Sequence, residues 1–175
     1  MNLHFSPFPL LSTERLLLRP LQSKDAEAIF ILRSDENINK YLDRPKAKTI
    51  ADAQQFIQKI TDGIAHNESF FWALTIKADD LLAGTICLWN IDVANNNAEI
   101  GYELLPEYQG KGLMQEAIQK VIAFGFDEIQ LQSIEACVHK ENKASVKLLE
   151  KNNFSINAKK ENDSAGDMMI YSLST

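Results

Sequence analysis

The sequence predicts one α/β (α+β) domain, a mixed sheet with helices laid against it. Three observations predict it. Strand-like apolar runs alternate along the chain with stretches of helical period. The length of 175 residues is that of one domain. No internal repeat, low-complexity tract or linker-like stretch divides the chain, so a single domain over residues 8–175 is expected. With 45% hydrophobic and 24% charged residues, a chain of this size buries about two-thirds of its unfolded surface and needs no covalent staple.

The elements follow in order. Thr13 to Pro20 (TERLLLRP) has a Leu-rich centre and reads as a first strand. Ser23 is a suitable N-cap for a helix over residues 25–33, with Asp25 and Glu27 placed to meet the positive end of the helix dipole. Thr49 starts a second helix, 50–65, in which Ala53, Phe56, Ile57 and Ile60 fall on one face. Phe70 to Ile76 and Leu82 to Trp89 read as two strands joined at Ala78-Asp79-Asp80. Asn95-Asn96-Asn97 is a turn signal, because Asn tolerates the left-handed conformation. Ala98 to Leu105 is the next strand, and Leu113 to Ile129 carries the strongest helical stripe. Ile134 to Val138 is a strand. Asn142 then caps a helix to Asn152, and Asn153 ends it in left-handed geometry. Phe154 to Ala158 and Met168 to Leu173 read as a closing hairpin.

Composition excludes several classes. The two cysteines, Cys87 and Cys137, lie in apolar runs without Cys-x-x-Cys spacing and read as small core residues. His4, His66 and His139 are scattered, and no metal is expected. Met1 to Leu11 lacks the basic start and apolar centre of a signal peptide. No run approaches the roughly 20 apolar residues of a membrane span. The expected compartment is the cytoplasm, with no membrane partner. The net charge of −6 argues against a nucleic-acid backbone as partner. A monomer or a homodimer is expected.

The informative stretch is AEIGYELLPEYQGKGLMQEA, Ala98 to Ala117. A strand runs into Gln109-Gly110-Lys111-Gly112, and a long helix begins at once. Unpaired N–H groups and partial positive charge gather at a helix N-terminus, and glycines let a loop approach an anion closely. Together they suit a phosphate or diphosphate. A Walker A loop fails here because Lys111 is followed by Gly112 and Leu113, and a dinucleotide fingerprint fails because Gln115 stands where it needs Gly. A plain tight turn remains open on these residues alone.

Gln109-Gly110-Lys111-Gly112-Leu113-Met114 resembles the diphosphate loop of the GNAT acetyltransferases, Arg/Gln-x-x-Gly-x-Gly/Ala, with Met114 departing at the last position. TERLLLRPL, GYELLPEYQGKGL and ENKASVKLLEKNNF resemble the RimJ/RimL-type branch in the same order, over about residues 11–173. The resemblance implies a strongly bent mixed sheet of about seven strands, helices on both faces, and a V-shaped opening beside the strand that precedes the loop. It implies acetyl-CoA as co-substrate, without a metal. Leu104 and Leu105 would offer main-chain contacts to the pantetheine and thioester, with an N–H acting as oxyanion donor. Gln109, Gly110, Lys111, Gly112, Leu113 and Met114 would hold the diphosphate. Asn142 would cap its helix and also bond the pantetheine amides.

Acetyl transfer needs a neutral amine, a stabilised oxyanion and help for the departing thiolate. No Gly-x-Ser-x-Gly signature is present, so direct attack in a ternary complex is preferred to an acyl-enzyme. A peptide α-amine, pKa about 7.8, is neutral in about one molecule in ten at pH 7, and a lysine in about one in several thousand. Strand alternation puts Glu99, Gly101 and Glu103 on one face, so both glutamates are candidate bases. Glu99 also resembles the glutamate that histone-acetylating members use. Many members carry an acidic tyrosine seven residues after the asparagine, where this chain has Leu149. The RimJ/RimL branch carries a serine three residues after it, here Ser145, which becomes the candidate donor to the thiolate. Tyr102 and Tyr108 read as packing residues, as do Trp72 and Trp89, with the floor of the substrate cleft as the alternative for the two tryptophans. The acceptor stays open between a peptide N-terminus and a small amine such as a polyamine, an amino acid or an antibiotic. A non-catalytic acyl-CoA-binding domain is the reading from another class.

Overall fold

The computed structural model describes residues 6–158 and 166–175. His4 and most of the polar segment between the last two predicted strands lie outside the described residues. Two short antiparallel strands, β1 (Leu11–Ser12) and β2 (Leu16–Arg19), come first. A 3-10 turn, Ser23–Asp25, leads into α1 (Ala26–Ser34), and α2 (Ile50–Ala65) follows. Then β3 (Phe70–Ile76), β4 (Leu82–Asp92) and β5 (Asn97–Leu104) form an antiparallel meander. Next, α3 (Leu113–Ala123) continues into a π turn, Phe124–Glu128, and returns the chain to β6 (Ser133–His139), parallel to β5. Finally α4 (Lys143–Lys151) precedes β7 (Ser155–Ile156) and β8 (Met168–Ser174).

The sheet order is β1-β2-β3-β4-β5-β6-β8-β7, and among the described strands β5–β6 is the one parallel pair. This is the bent mixed sheet with helices on both faces that the sequence led us to expect. The strand beyond the expected seven is β1, two residues long.

Alternation along the strands builds two cores. Phe70, Trp72, Leu88 and Ile100 face α3, through Leu113, Ala117, Ile118 and Val121, and meet Leu149 of α4. Phe71, Ala73 and Leu82 face α1 and α2, through Ile29, Leu32, Ala53 and Ile57. The two helix pairs therefore cover opposite faces, and a site between β5 and β6 is reached from both.

Local chemistry sets the helix starts. Thr49 Oγ1 accepts from the Asp52 N–H at 3.2 Å, and the Asp52 carboxylate accepts from the Thr49 N–H at 2.9 Å. Such a reciprocal cap contributes about 1 kcal/mol. Ser23 is not the cap of the first helix. It begins the 3-10 turn, with Gln22 in the cap position. Asp25 decides this, because its carboxylate accepts from the Gln22 N–H at 2.8 Å while pairing with Arg19 at 2.8 and 2.9 Å. Among the described residues, no helix is long and apolar enough to cross a membrane.

Candidate active site

Parallel pairing between β5 and β6 covers three positions, Asn97↔Ser133, Ala98↔Ile134 and Glu99↔Glu135, and then stops. Beyond it the strands part. The Leu105 N–H donates to the Ala83 carbonyl of β4 at 2.9 Å, so the alternation of the ladder turns the main-chain groups of Leu104 and Tyr102 toward the gap. Of the two residues read as main-chain contacts, Leu104 therefore faces the opening, whereas the Leu105 amide is committed to β4. The Leu104 carbonyl accepts from Gln109 Nε2 at 3.0 Å, which ties the end of β5 to the start of the loop.

The loop is shaped by two left-handed glycines, Gly110 (φ 72°) and Gly112 (φ 78°). Gly112 is the N-cap of α3, whose first internal bond runs from the Glu116 N–H to the Gly112 carbonyl at 3.2 Å. The N–H groups of Leu113, Met114 and Gln115 thus lack intrahelical acceptors at the positive end of the dipole. Arg15, at the foot of β2, holds the loop from behind: Nη1 donates to the Lys111 carbonyl at 3.0 Å and Nε to Glu116 at 2.5 Å. Lys111 lies over the Tyr108 ring, 5.9 Å from its centroid. In front of the loop is a groove of about 600 Å³, bounded by Leu104, Gln109, Gly112, Met114 and α4, a volume within the range of small-molecule sites.

A second cavity, of about 250 Å³, opens on the α1–α2 side of the same gap. Tyr102, Glu103, Asn142 and Ser145 line both spaces, so the two meet there. Asn142 caps α4 as the sequence predicts, its Oδ1 accepting from the Ser145 N–H at 3.3 Å. The Ser145 hydroxyl lies 2.7 Å from Tyr102 Oη. Burial, opposed by the Ser145 hydrogen bond, pushes the Tyr102 phenol up to about 12, which keeps it protonated through the physiological range. Leu149 is fully buried in the core and brings no hydroxyl to the cleft. Tyr102, read from sequence as a packing residue, is the site residue the sequence understated. Its one sequence signal is that it shares the strand face of Ile100 and Leu104.

Glu99 and Glu103 both line the smaller cavity, as their spacing predicts. Glu103 is paired with Arg44 at 2.6 Å. Glu99 accepts from Asn90 Nδ2 at 3.0 Å. Tyr41, in the segment between α1 and α2, stacks on His139 of β6 with centroids 4.9 Å apart, and both rings line the smaller cavity. Trp89 is 42% exposed and lines the cavity, whereas Trp72 is buried and donates to the Pro9 carbonyl at 2.8 Å. Both cysteines are free and line the cavity; Cys87 packs against the α1–α2 core as the sequence predicts, whereas Cys137 is exposed. Burial, with smaller contributions from the Glu103 and Glu99 charges, pushes the Cys87 thiol up to about 12. Burial and Glu99 raise Cys137 as well. Neither thiol is thus poised as a thiolate nucleophile. Among the described residues, no group of three or more His, Cys, Asp or Glu side chains is placed to hold a metal ion.

The family model "Acetyltransferase (GNAT) domain" matches residues 15–155. The uncharacterized N-acetyltransferase p20 of Bacillus licheniformis is 37% identical over 79% of this chain and 78% of that protein. The spermidine N(1)-acetyltransferase of Escherichia coli K12 is 27% identical over 83% of this chain and 75% of its own length. Among solved structures, the ribosomal-protein-S5-alanine acetyltransferase from Vibrio fischeri superposes with a TM-score of 0.79 at 25% identity, covering 95% of this chain and 96% of that one. The microcin C7 self-immunity acetyltransferase MccE, solved with acetyl-CoA and AMP, superposes at 0.78 with 24% identity, covering 93% and 94%.

Proposed function

The chain belongs to the GNAT acetyltransferase family, and on that premise we propose that this N-acetyltransferase takes its acetyl group from acetyl-CoA and passes it directly to the α-amine of a polypeptide N-terminus. The observation that carries the reading is the parted β5–β6 pair beside a left-handed glycine loop at a helix N-terminus. A diphosphate fits the loop amides, and an amide-bearing arm fits the main-chain groups in the gap.

Each residue then has a task. The amides from Gln109 to Met114 hold the diphosphate. The Leu104 N–H, turned into the gap, aims at the thioester carbonyl, where a well-placed donor contributes about 3–4 kcal/mol to the transition state. The Asn142 side-chain amide donates to the arm beside the α4 cap. Ser145, where groove and cavity meet, hydrogen-bonds the departing thiolate. Coenzyme A supplies the activated thioester, and the protein supplies position, an oxyanion donor and a path for one proton.

Glu103 is committed to Arg44, so the amine's proton passes to Glu99, directly or through water. An α-amine, already neutral in about one molecule in ten at pH 7, asks little of such a base. The cavity of about 250 Å³ admits the first residue of a chain. The likeness to the S5-alanine acetyltransferase points the same way. A second reading, a polyamine acceptor, is favoured by the acidic wall of Glu99 and Glu103 and by the spermidine-acetylating relative.

Thiol release from acetyl-CoA, measured against N-terminal peptides, polyamines and amino acids, tests both. Peptide turnover with silent polyamines supports the first reading, and the reverse supports the second. Coenzyme A binding without turnover on any amine overturns both in favour of a binding domain.

A further inference from the structure

We infer that Tyr102 is a positioning residue for acyl transfer: it donates its hydroxyl hydrogen to Ser145 Oγ and thereby turns the serine's own hydrogen toward the junction of the two cavities. The inference rests on the function proposed above.

The geometry begins with the 2.7 Å contact between Tyr102 Oη and Ser145 Oγ. Either oxygen can donate, but a phenol is the stronger donor and an aliphatic hydroxyl the better acceptor. A serine hydroxyl has one hydrogen and two acceptor sites. Ser145 lies in the first turn of α4, where no helical turn precedes it to take that hydrogen. An incoming bond from Tyr102 fills one acceptor site, and the serine hydrogen is left to point into the cleft. Asn142, accepting from the Ser145 N–H, fixes the main chain beneath. Tyr102 itself is fixed by β5 and packs at the edge of the larger core. Burial keeps its phenol protonated well above neutral pH, so the donor persists there. Leu149, one α4 turn on and wholly buried, offers no substitute hydroxyl. The strand thus supplies from one side of the gap what the helix lacks on the other.

In the collapse step the C–S bond breaks and its electron pair goes to sulfur. Ser145 donates a hydrogen bond to that sulfur while Tyr102 donates to Ser145. The proton that finally rests on the thiol is the one released by the amine, so both hydroxyls end the cycle as they began it.

The test compares Tyr102→Phe, Ser145→Ala and the double variant, with kcat, both KM values and calorimetric binding of coenzyme A. Tyr102→Phe keeps the ring, and Tyr102→Leu is the second variant if the first fails to fold. The expected result is a kcat about 5–10-fold lower for Tyr102→Phe, the effect of one lost hydrogen bond, with coenzyme A binding unchanged. The double variant should be no slower than Ser145→Ala alone. Ser145→Thr, which keeps a hydroxyl, should restore the sensitivity to Tyr102→Phe. Unaltered kcat in Tyr102→Phe, or losses that multiply in the double variant, would overturn the inference and leave the proposed function standing. An unaltered protein that binds coenzyme A and acetylates no amine would overturn that function, and this inference with it.

Discussion

Arg44 and Glu103 pair at 2.6 Å, and the same guanidinium bonds Asn39 Oδ1 at 2.7 Å and the Leu32 carbonyl at 3.2 Å. One side chain thus ties β5 to the end of α1 and to the segment that carries Tyr41 over the cleft. Arg44→Ala should loosen that roof and raise the KM for the amine about tenfold, the scale of a lost charge-assisted bond, with coenzyme A binding within twofold. Glu103→Gln should also act on KM. A kcat loss of a hundredfold or more in Glu103→Gln, the mark of a removed general base, would refute this assignment.

Glu99 is the carboxylate proposed to take the amine's proton. Glu99→Gln should lower kcat about a hundredfold near pH 7. The deficit should shrink as pH rises past about 8, because more of the α-amine is then neutral without help. A pH–rate comparison of the two proteins checks this. A deficit constant from pH 6 to 9 would count against the role.

Gly112 holds φ 78° at the start of α3. A Cβ there would meet Arg15 Nη2 at 3.4 Å, an ordinary contact, so the penalty of a side chain lies in the backbone rather than in crowding. Gly112→Ala should lower stability by about 1–2 kcal/mol, read from urea unfolding. Gly112→Glu should remove the heat of coenzyme A binding by adding a carboxylate at the proposed diphosphate site. Retained binding in Gly112→Glu would place the diphosphate elsewhere.

Three acids in the cleft, Cys87, Tyr102 and Cys137, hold their protons more tightly in the folded protein than in the unfolded chain. Cys87 is raised from 9.0 to about 12 and Tyr102 from 10.0 to about 12. Between about pH 9 and 12 the unfolded chain therefore binds fewer protons than the native state, and stability falls as pH rises. Below about pH 8 none of them contributes an appreciable slope. Urea unfolding from pH 7 to 10.5 should show a decline that begins near 9 and becomes shallower in Cys87→Ala.

The parts of the fold legible in sequence were those fixed by neighbours along the chain. Residues 50–65 and 70–76 match their sequence pattern to the residue, because a Thr-to-Asp cap and a run of β-formers need no distant partner. The helix expected over 113–129 ends at Ala123 and gives way to a π turn. There Phe124 packs edge-on against Phe70 and Trp72, with centroids 5.0 and 5.4 Å away. The helical stripe could not show that aromatic seat on β3. Within the site, the glycine loop and the Asn142 cap were visible for the same local reason. The Tyr102–Ser145 contact spans 43 positions and the Arg44–Glu103 pair 59. Neither residue of either pair carries its partner's address in its own surroundings.

The three-position seam between β5 and β6 has a further consequence. Past Glu99 the sheet is two slabs with exposed polypeptide edges, and a pantetheine arm lying there would serve as a short extra strand, read through amides that every residue possesses. Donor recognition of that kind is indifferent to side-chain identity. The walls facing the acceptor can therefore change, residue by residue, without disturbing the coenzyme. A single frame of this design can come to serve peptide ends in one lineage and polyamines in another.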